Sequence, residues 1–231
     1  MKKRSKRYKK LIEISKNYKA KDVNEAIDLI KKTATAKFDE SIDAAFKINV
    51  KQAKTEINLR TVVNLPHGNG KKIKIAVFCE DSKKEEAKDS GADFFNSDKL
   101  LNEINAGKIY FNKIISTPSM MSKIGKIGKI LGPKGLMPNP KLGSVTDDLK
   151  KAVIDAKSGQ AEIRNDKDGN IGVSIGKKSF HEDQLLKNYY AVIDTLEKEK
   201  SNNTLKGDLI KNVFVTSSMG ISYKVKLGKS I

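Results

Sequence analysis

The hydrophobic pattern of this chain changes period twice, which restricts it to a fold built in two different ways. Up to Leu65, and again from Ala161, the extended runs alternate apolar with polar residues. Ile42, Ala44, Phe46, Ile48 and Val50 do so in SIDAAFKINV; DLIKNVFVT and ISYKVKL repeat the pattern near the other end. Such alternation marks a strand with one buried and one wet face. From Lys72 the texture differs. IKIAVFC is almost continuously apolar, as in a sheet covered on both faces. The helical runs KKEEAKDSGAD and SDKLLNEINAG follow, then a short strand, FNKIIS. Strand and helix in this order predict a small layered α/β domain. Each flank alone has too little core to be comfortable. Together they make one antiparallel sheet with helices on one face. The reading is therefore a two-domain α+β and α/β chain. Residues 1–67 plus 160–231 form a discontinuous α+β domain from both chain ends, and residues 68–159 are an inserted α/β domain. The joints fall near Gly68–Gly70 and Gly159, two linkers that can act as a hinge.

Local signals place the elements. Asp22 caps a helix with Glu25 at the capping-box position, and Val23, Ala26, Ile27 and Ile30 give its apolar stripe. INLRTVVNL is a strand stopped by Leu65-Pro66-His67-Gly68. Thr117-Pro118 reads as a cap followed by proline in the first turn. SVTDDLKKAVIDAKSG is a helix capped by Thr146 or Asp147, and AEIRNDKDGNIGVSIG a hairpin turning at Asp168-Gly169. Ser179 is expected to cap a long helix with Glu182 as box partner. Leu185, Leu186, Tyr189, Val192, Ile193 and Leu196 form the buried stripe of that helix.

Charge points to the partner. The formal net charge is +18, and lysine supplies nearly all the excess, since only four residues are Arg. A lysine-rich solvated surface accounts for part of this. It does not explain why seven lysines and no acid lie between Glu103 and Asp147, in a stretch dense in Gly and Pro. The first 21 residues add ten Lys/Arg against one Glu, with YKKLIEI as a short docked helix. A polyanion is the expected ligand, RNA first. In the Gly/Lys segment, lysines such as Lys134 and Lys141 supply point charges to phosphates. Met120, Met121 and Met137 pack under it. Thr216-Ser217-Ser218-Met219-Gly220 makes a compact surface whose hydroxyls can bond phosphate or the RNA 2′-OH.

No catalytic set emerges. His67 and His181 lack partners at metal-ligand spacing, so no metal and no cofactor is expected. Gly228-Lys229-Ser230 mimics the end of a phosphate loop, but Tyr223 stands where the first glycine belongs. Cys79 is alone and reads as a buried hydrophobe, which excludes a disulfide framework. No apolar stretch approaches the ~18 residues of a membrane span, and no secretory signal opens the chain. A cytoplasmic location and no membrane partner are the expectation.

Seven motifs carry more than composition. They are Lys37-Phe38-Asp39-Glu40-Ser41, Leu65-Pro66-His67-Gly68-Asn69-Gly70-Lys71, Gly91-Ala92-Asp93, Thr117-Pro118-Ser119-Met120-Met121, the block from Leu131 to Lys141 (LGPKGLMPNPK), Lys177-Lys178-Ser179-Phe180, and Ser217-Ser218-Met219-Gly220. In these motifs and their order the chain resembles the L-one family of large-subunit ribosomal proteins, bacterial type, along essentially its whole length. The resemblance implies a split two-layer α+β domain formed by both chain ends, with an inserted three-layer, Rossmann-like α/β domain. It implies binding to the stalk helices of large-subunit ribosomal RNA, a part in releasing deacylated tRNA from the exit site, and repression of the protein's own operon mRNA. It implies no enzyme activity, and a ribosome-associated protein that is a monomer off the ribosome. Carried over by motif, Phe38, Glu40, Thr216, Ser217, Ser218, Met219 and Gly220 would face the RNA, with basic support from Lys37 and Arg164. Three positions depart from the family pattern: Thr61 stands for glycine, Ser218 for threonine and Ile221 for proline. Two competing readings remain open at this point: a nucleotide-binding enzyme on the central domain, and a basic protein that coats nucleic acid without specificity.

Overall fold

The structure is a computed structural model that describes residues 4–16, 18, 22–49, 59–202 and 208–226. Val50, Ile57, Asn58 and Leu227 of the expected strands, and the Gly228-Lys229-Ser230 triplet, lie outside them. The fold is mixed α/β in two compact units. One takes its residues from Met1–Gly70 and Ala161–Ile231, the other from Lys71–Gln160.

In the first unit, strands β1 (Ser41–Ile48), β6 (Asn170–Lys177), β7 (Ile210–Ser217) and β8 (Tyr223–Val225) form a sheet in the order β6-β1-β7-β8. All three pairings are antiparallel; Ala44 faces Val173 on one side and Val215 on the other. The alternation read from sequence is realised. Ile42, Ala44, Phe46 and Ile48 point into the core with Ile171, Val173, Ile175, Val213 and Val215. Helices α2 (Val23–Thr33) and α8 (Glu182–Asn202) cover that face. Asp22 caps α2 by accepting the Val23 N–H at 2.8 Å, a bond worth about 1 kcal/mol. Val23, Ala26, Ile27 and Ile30 are buried, as are Leu185, Tyr189, Val192 and Leu196 of α8; Leu186 and Ile193 pack beside them. Burial of such a side chain contributes roughly 1.5–3 kcal/mol, so these two stripes fasten the helices. Tyr189 also stacks on Phe46, ring centroids 6.1 Å apart.

Two elements of this unit differ from the sequence expectation. Ser179 does not cap α8. Its N–H and hydroxyl are taken by Asp39, and the helix opens at Glu182 with Gln184 accepting the His181 N–H at 3.1 Å. The turn at Asp168-Gly169 exists, closed by Asp166 Oδ1 on the Asn170 N–H at 2.6 Å, but its arms do not form a hairpin ladder. β6 pairs with β1, while β5 (Gln160–Arg164) pairs with β2 (Arg60–Asn64) in a separate two-stranded sheet. Between the arms runs a single bridge, Asn165 to Ile171. Asn165 draws its arm away by accepting the Leu59 N–H at 2.6 Å.

The β1–β6 pairing slips by one residue at Ile42/Asp43, opposite Gly176. A Cβ at Gly176 would stand 2.7 Å from Leu185 Cδ2 and 2.9 Å from Phe180, with φ at 156°. Only glycine lets α8 approach the sheet this closely.

In the second unit, β3 (Ile75–Phe78) and β4 (Lys113–Ser116) pair in parallel. Parallel bridges from Ala76 to Phe94 and from Ser116 to Val145 extend the pairing at both edges. Every residue of β3 is buried because each face has its own core. Ala76, Phe78 and Ile114 pack with Leu100 and Ile104 of α4 (Ser97–Asn105), Ile124 of α5 (Met121–Lys126) and Leu131 of α6 (Gly128–Leu131). Ile75, Val77 and Ile115 pack with Ala87 of α3 (Lys84–Asp89) and with Leu149, Val153 and Ala156 of α7 (Leu149–Lys157). Cys79 lies in this second core, and burial pushes its thiol up. Met120, Met121 and Met137 pack in the first core, as expected. The α7 cap is Asp148, accepting the Lys151 N–H at 3.1 Å, not Thr146 or Asp147. Thr117 gives no cap bond; its hydroxyl meets that of Ser119, and Pro118 opens a 3-10 turn.

Candidate nucleic-acid interface

β1 and β7 are antiparallel, so the start of one and the end of the other share a sheet end, Ile42 opposite Ser217. The pairing continues past both strands. Ser218 N–H donates to the Ser41 carbonyl at 3.0 Å, and Ser41 N–H donates to the Ser218 hydroxyl at 3.1 Å. The segment from Ala34 to Glu40 joins α2 to the same sheet end. Asp39 accepts the Ser179 N–H at 3.1 Å and the Ser179 hydroxyl at 2.8 Å. Lys31 donates to the Phe180 carbonyl at 2.8 Å, and Lys178 to the Ala34 carbonyl. Three segments far apart in sequence, 37–41, 177–180 and 217–220, are thereby tied into one surface.

Glu40 is the centre of that arrangement. It is fully buried. Its Oε1 accepts the Ala36 N–H at 2.9 Å and its Oε2 the Met219 N–H at 3.1 Å. Burial pushes the carboxyl up. The Ala36 N–H, the Ser217 hydroxyl, the Met219 N–H and the Arg7 charge together outweigh it, holding the group below its ordinary value of 4.5. The buried Ser217 hydroxyl faces the carboxylate without closing a hydrogen bond of normal geometry. Glu40 and Ser217 were expected to face RNA. Both lie beneath the surface instead, and Glu40 ties two loops together from behind. Gly220 follows from the same crowding: a Cβ there would stand 2.3 Å from Ser217 Oγ.

What this frame presents outward is Phe38, 54 % exposed, and Met219, 51 % exposed, with Lys37 and Ser218 also exposed and Thr216 half-buried. One contributor went unread in the sequence. Arg7, on helix α1 (Lys6–Lys16), donates to the Met219 carbonyl at 2.7 Å and to the Thr35 hydroxyl at 3.1 Å. The arm reads in sequence as charge and a short docked helix, which α1 realises, but nothing in its spacing distinguishes Arg7 from its neighbours.

The chain matches the model of the ribosomal protein L1p/L10e family over residues 30–221. The chain belongs to that family. It is 66 % identical over 227 residues to the large ribosomal subunit protein uL1 of Pelagibacter ubique, covering 98 % of this chain and 99 % of the relative. The uL1 protein of Fervidobacterium nodosum is 43 % identical over 98 % of this chain and 97 % of its own length. That of Thermosipho melanesiensis is 44 % identical over 97 % of each. This L1p/L10e-family chain is a ribosomal protein and not an enzyme.

The other residues expected to contribute to binding or to the hinge lie elsewhere. Arg164 is exposed on β5, beside the Asp166–Asn170 turn. Asn170 pairs with Lys47, near the far end of β1 from Ser41. Six residues of extended strand put that turn roughly 20 Å from the Ser218 end. Arg164 is thus not part of the loop cluster. Gly68 and Gly70 both have positive φ. The turn at Gly68 is anchored by Asn188 of α8, which donates to the Gly68 carbonyl at 2.8 Å and accepts the His67 N–H at 3.1 Å. Gly159 is left-handed at φ 108°. Lys134 and Lys141 are exposed in the inserted unit. Of the departures from the family pattern, Thr61 sits half-buried in regular β2, where a β-branched residue fits. Ser218 keeps the hydroxyl that receives the Ser41 N–H. Nothing in the structure explains Ile221.

Proposed function

We propose that this protein docks through its split unit onto a folded junction of the large-subunit ribosomal RNA stalk. One observation supports this above others: Phe38 and Met219, both exposed, stand on loops held from beneath by a buried, ionised Glu40. A surface ordered before binding loses little entropy when RNA arrives. Met219 can lie flat on a sugar or base, and the Ser218 hydroxyl and nearby N–H groups can read the 2′-OH and phosphates. Surrounding lysines add a salt-sensitive attraction.

In this reading the split unit, 1–67 with 160–231, is a two-layer RNA-binding domain. The insertion, 68–159, is a three-layer, Rossmann-like domain that swings on the Gly68–Gly70 and Gly159 linkers. Its exposed Lys134 and Lys141 give secondary phosphate contacts, and Arg164 gives an outlying one. The stalk carried by the protein assists release of deacylated tRNA from the exit site. The same surface represses translation of the protein's own operon mRNA by binding a similar RNA fold. The protein works in the cytoplasm on the ribosome and is a monomer off it.

The test is filter binding of a stalk RNA fragment with a melting curve alongside. Met219→Ala is expected to weaken binding about ten- to thirtyfold, as for a central contact residue. Its melting temperature should not move, because the side chain is half exposed. Unchanged affinity, or equal binding of random duplex at physiological salt, defeats the proposal.

A further inference from the structure

Helix α1 borders the proposed RNA surface. Among its described residues Leu11 alone is buried, so α1 is lightly anchored. Yet Arg7 bonds two segments of the interface at once, through Met219 and Thr35. A guanidinium carries five N–H donors, and these two bonds leave three. Arg4 lies one turn earlier, exposed, its guanidinium 5.3 Å from the centre of the Tyr8 ring. The Ser5 hydroxyl accepts the Tyr8 N–H at 3.2 Å and so fixes the start of the helix beside them.

Between α1 and the loop lies an open cleft of about 320 Å³, lined by Arg4, Ser5, Arg7, Tyr8 and Ser218 to Gly220. Among the described residues no carboxylate lines it and neither arginine forms an ion pair, though the buried Glu40 charge lies near enough to Arg7 to feel it. Arg4, just before the helix, and Arg7, in its first turn, both line the cleft. An anion between two like charges lowers their repulsion, and planar guanidinia match the oxygen pair of a phosphodiester.

We propose that this cleft receives a backbone phosphate of the bound RNA, with Arg4 as its ligand. Arg7 is both a second ligand and the residue that positions the Met219 loop. The inference rests on reading the loop surface as an RNA interface, and extends that interface to residues 4–8.

The experiment is a fluorescence-anisotropy titration of the full chain with a labelled stalk RNA fragment over a range of salt. Lys9→Ala is the control for loss of one charge on the same helix, since Lys9 does not line the cleft. Arg4→Ala is expected to weaken binding about tenfold and to flatten the log–log salt slope by about 0.7–0.9, the value of one phosphate contact. Arg7→Ala should lose more, because it also frees the loop. Arg7→Lys should recover the slope but not the full affinity, since an ammonium cannot reproduce the fork. Circular dichroism checks that Arg4→Ala stays folded; Arg4 precedes the helix. If Arg4→Ala matches Lys9→Ala in affinity and slope while Met219→Ala still weakens binding, the cleft assignment falls and the RNA interface stands. If wild-type protein does not prefer the stalk fragment to random duplex, both fall.

Discussion

The two units carry their positive charge in different ways. The inserted unit holds the acid-free run with its seven lysines, the loudest signal in the chain. Lys123, Lys126, Lys129, Lys134 and Lys141 are all exposed there, but none is among the ion pairs seen in the described residues. The split unit has a quieter sequence at its proposed RNA surface. Its loops are nonetheless bound to one another by Asp39, Glu40, Ser41 and Arg7. Charge on long, mobile stems gives attraction without register, whereas loops fixed by buried bonds give register. The proposed site thus stands out by its order more than by its charge.

Three experiments bear on that contrast. The largest effect is expected from Gly220→Ala, whose new Cβ would meet Ser217 Oγ at 2.3 Å. Overpacking of this kind costs about 1–3 kcal/mol, and stalk RNA binding should fall tenfold or more. Adding Ser217→Ala removes the clashing oxygen and should restore much of the affinity. If the double variant binds no better than the single one, the crowding account is wrong.

Next comes Glu40→Gln. The neutral amide loses charge-assisted bonds worth roughly 1.5–3 kcal/mol. The pH dependence has a definite sign. The folded carboxyl lies below its ordinary 4.5, so its stabilisation is fully present above about that pH and is lost as pH falls through the lowered value. Urea melts between acid and neutral pH should show a shallower acid limb in Glu40→Gln than in wild type. Parallel limbs would mean that Glu40 is not the group responsible.

The smallest effect is expected from removing the inserted unit. Joining Gly70 to Ala161 through a short flexible linker should leave a folded protein whose stalk affinity is within about threefold of wild type. The loss should appear chiefly as a flatter salt slope, as lysines at a distance require. A soluble, folded variant that no longer binds would reverse the division of labour argued above.

The fold was legible where the hydrophobic pattern repeats. Ile42 to Ile48 alternate because one sheet face is covered, and Ile75 to Phe78 do not because both faces are. Cap positions were less legible. Ser179 and Asp148 show why, since several hydroxyl and carboxylate residues stand near each helix start and a neighbouring segment chooses among them. The apparent hairpin at Asp168-Gly169 failed for a related reason: a turn fixes only that the chain reverses, and the partners of each arm come from elsewhere.

The interface divides along the same line. The alternating and continuous strands are legible from residue type and short-range period, and the family from its motifs; it is through those motifs that Phe38 and Met219 were expected at the surface. That Glu40 and Ser217 lie underneath, that Arg164 stands apart, and that Arg7 reaches Met219 across 212 positions of chain emerges only from the packed fold. Burial and long-range hydrogen bonding arise when distant segments pack, and no local pattern of residues encodes which of them will meet.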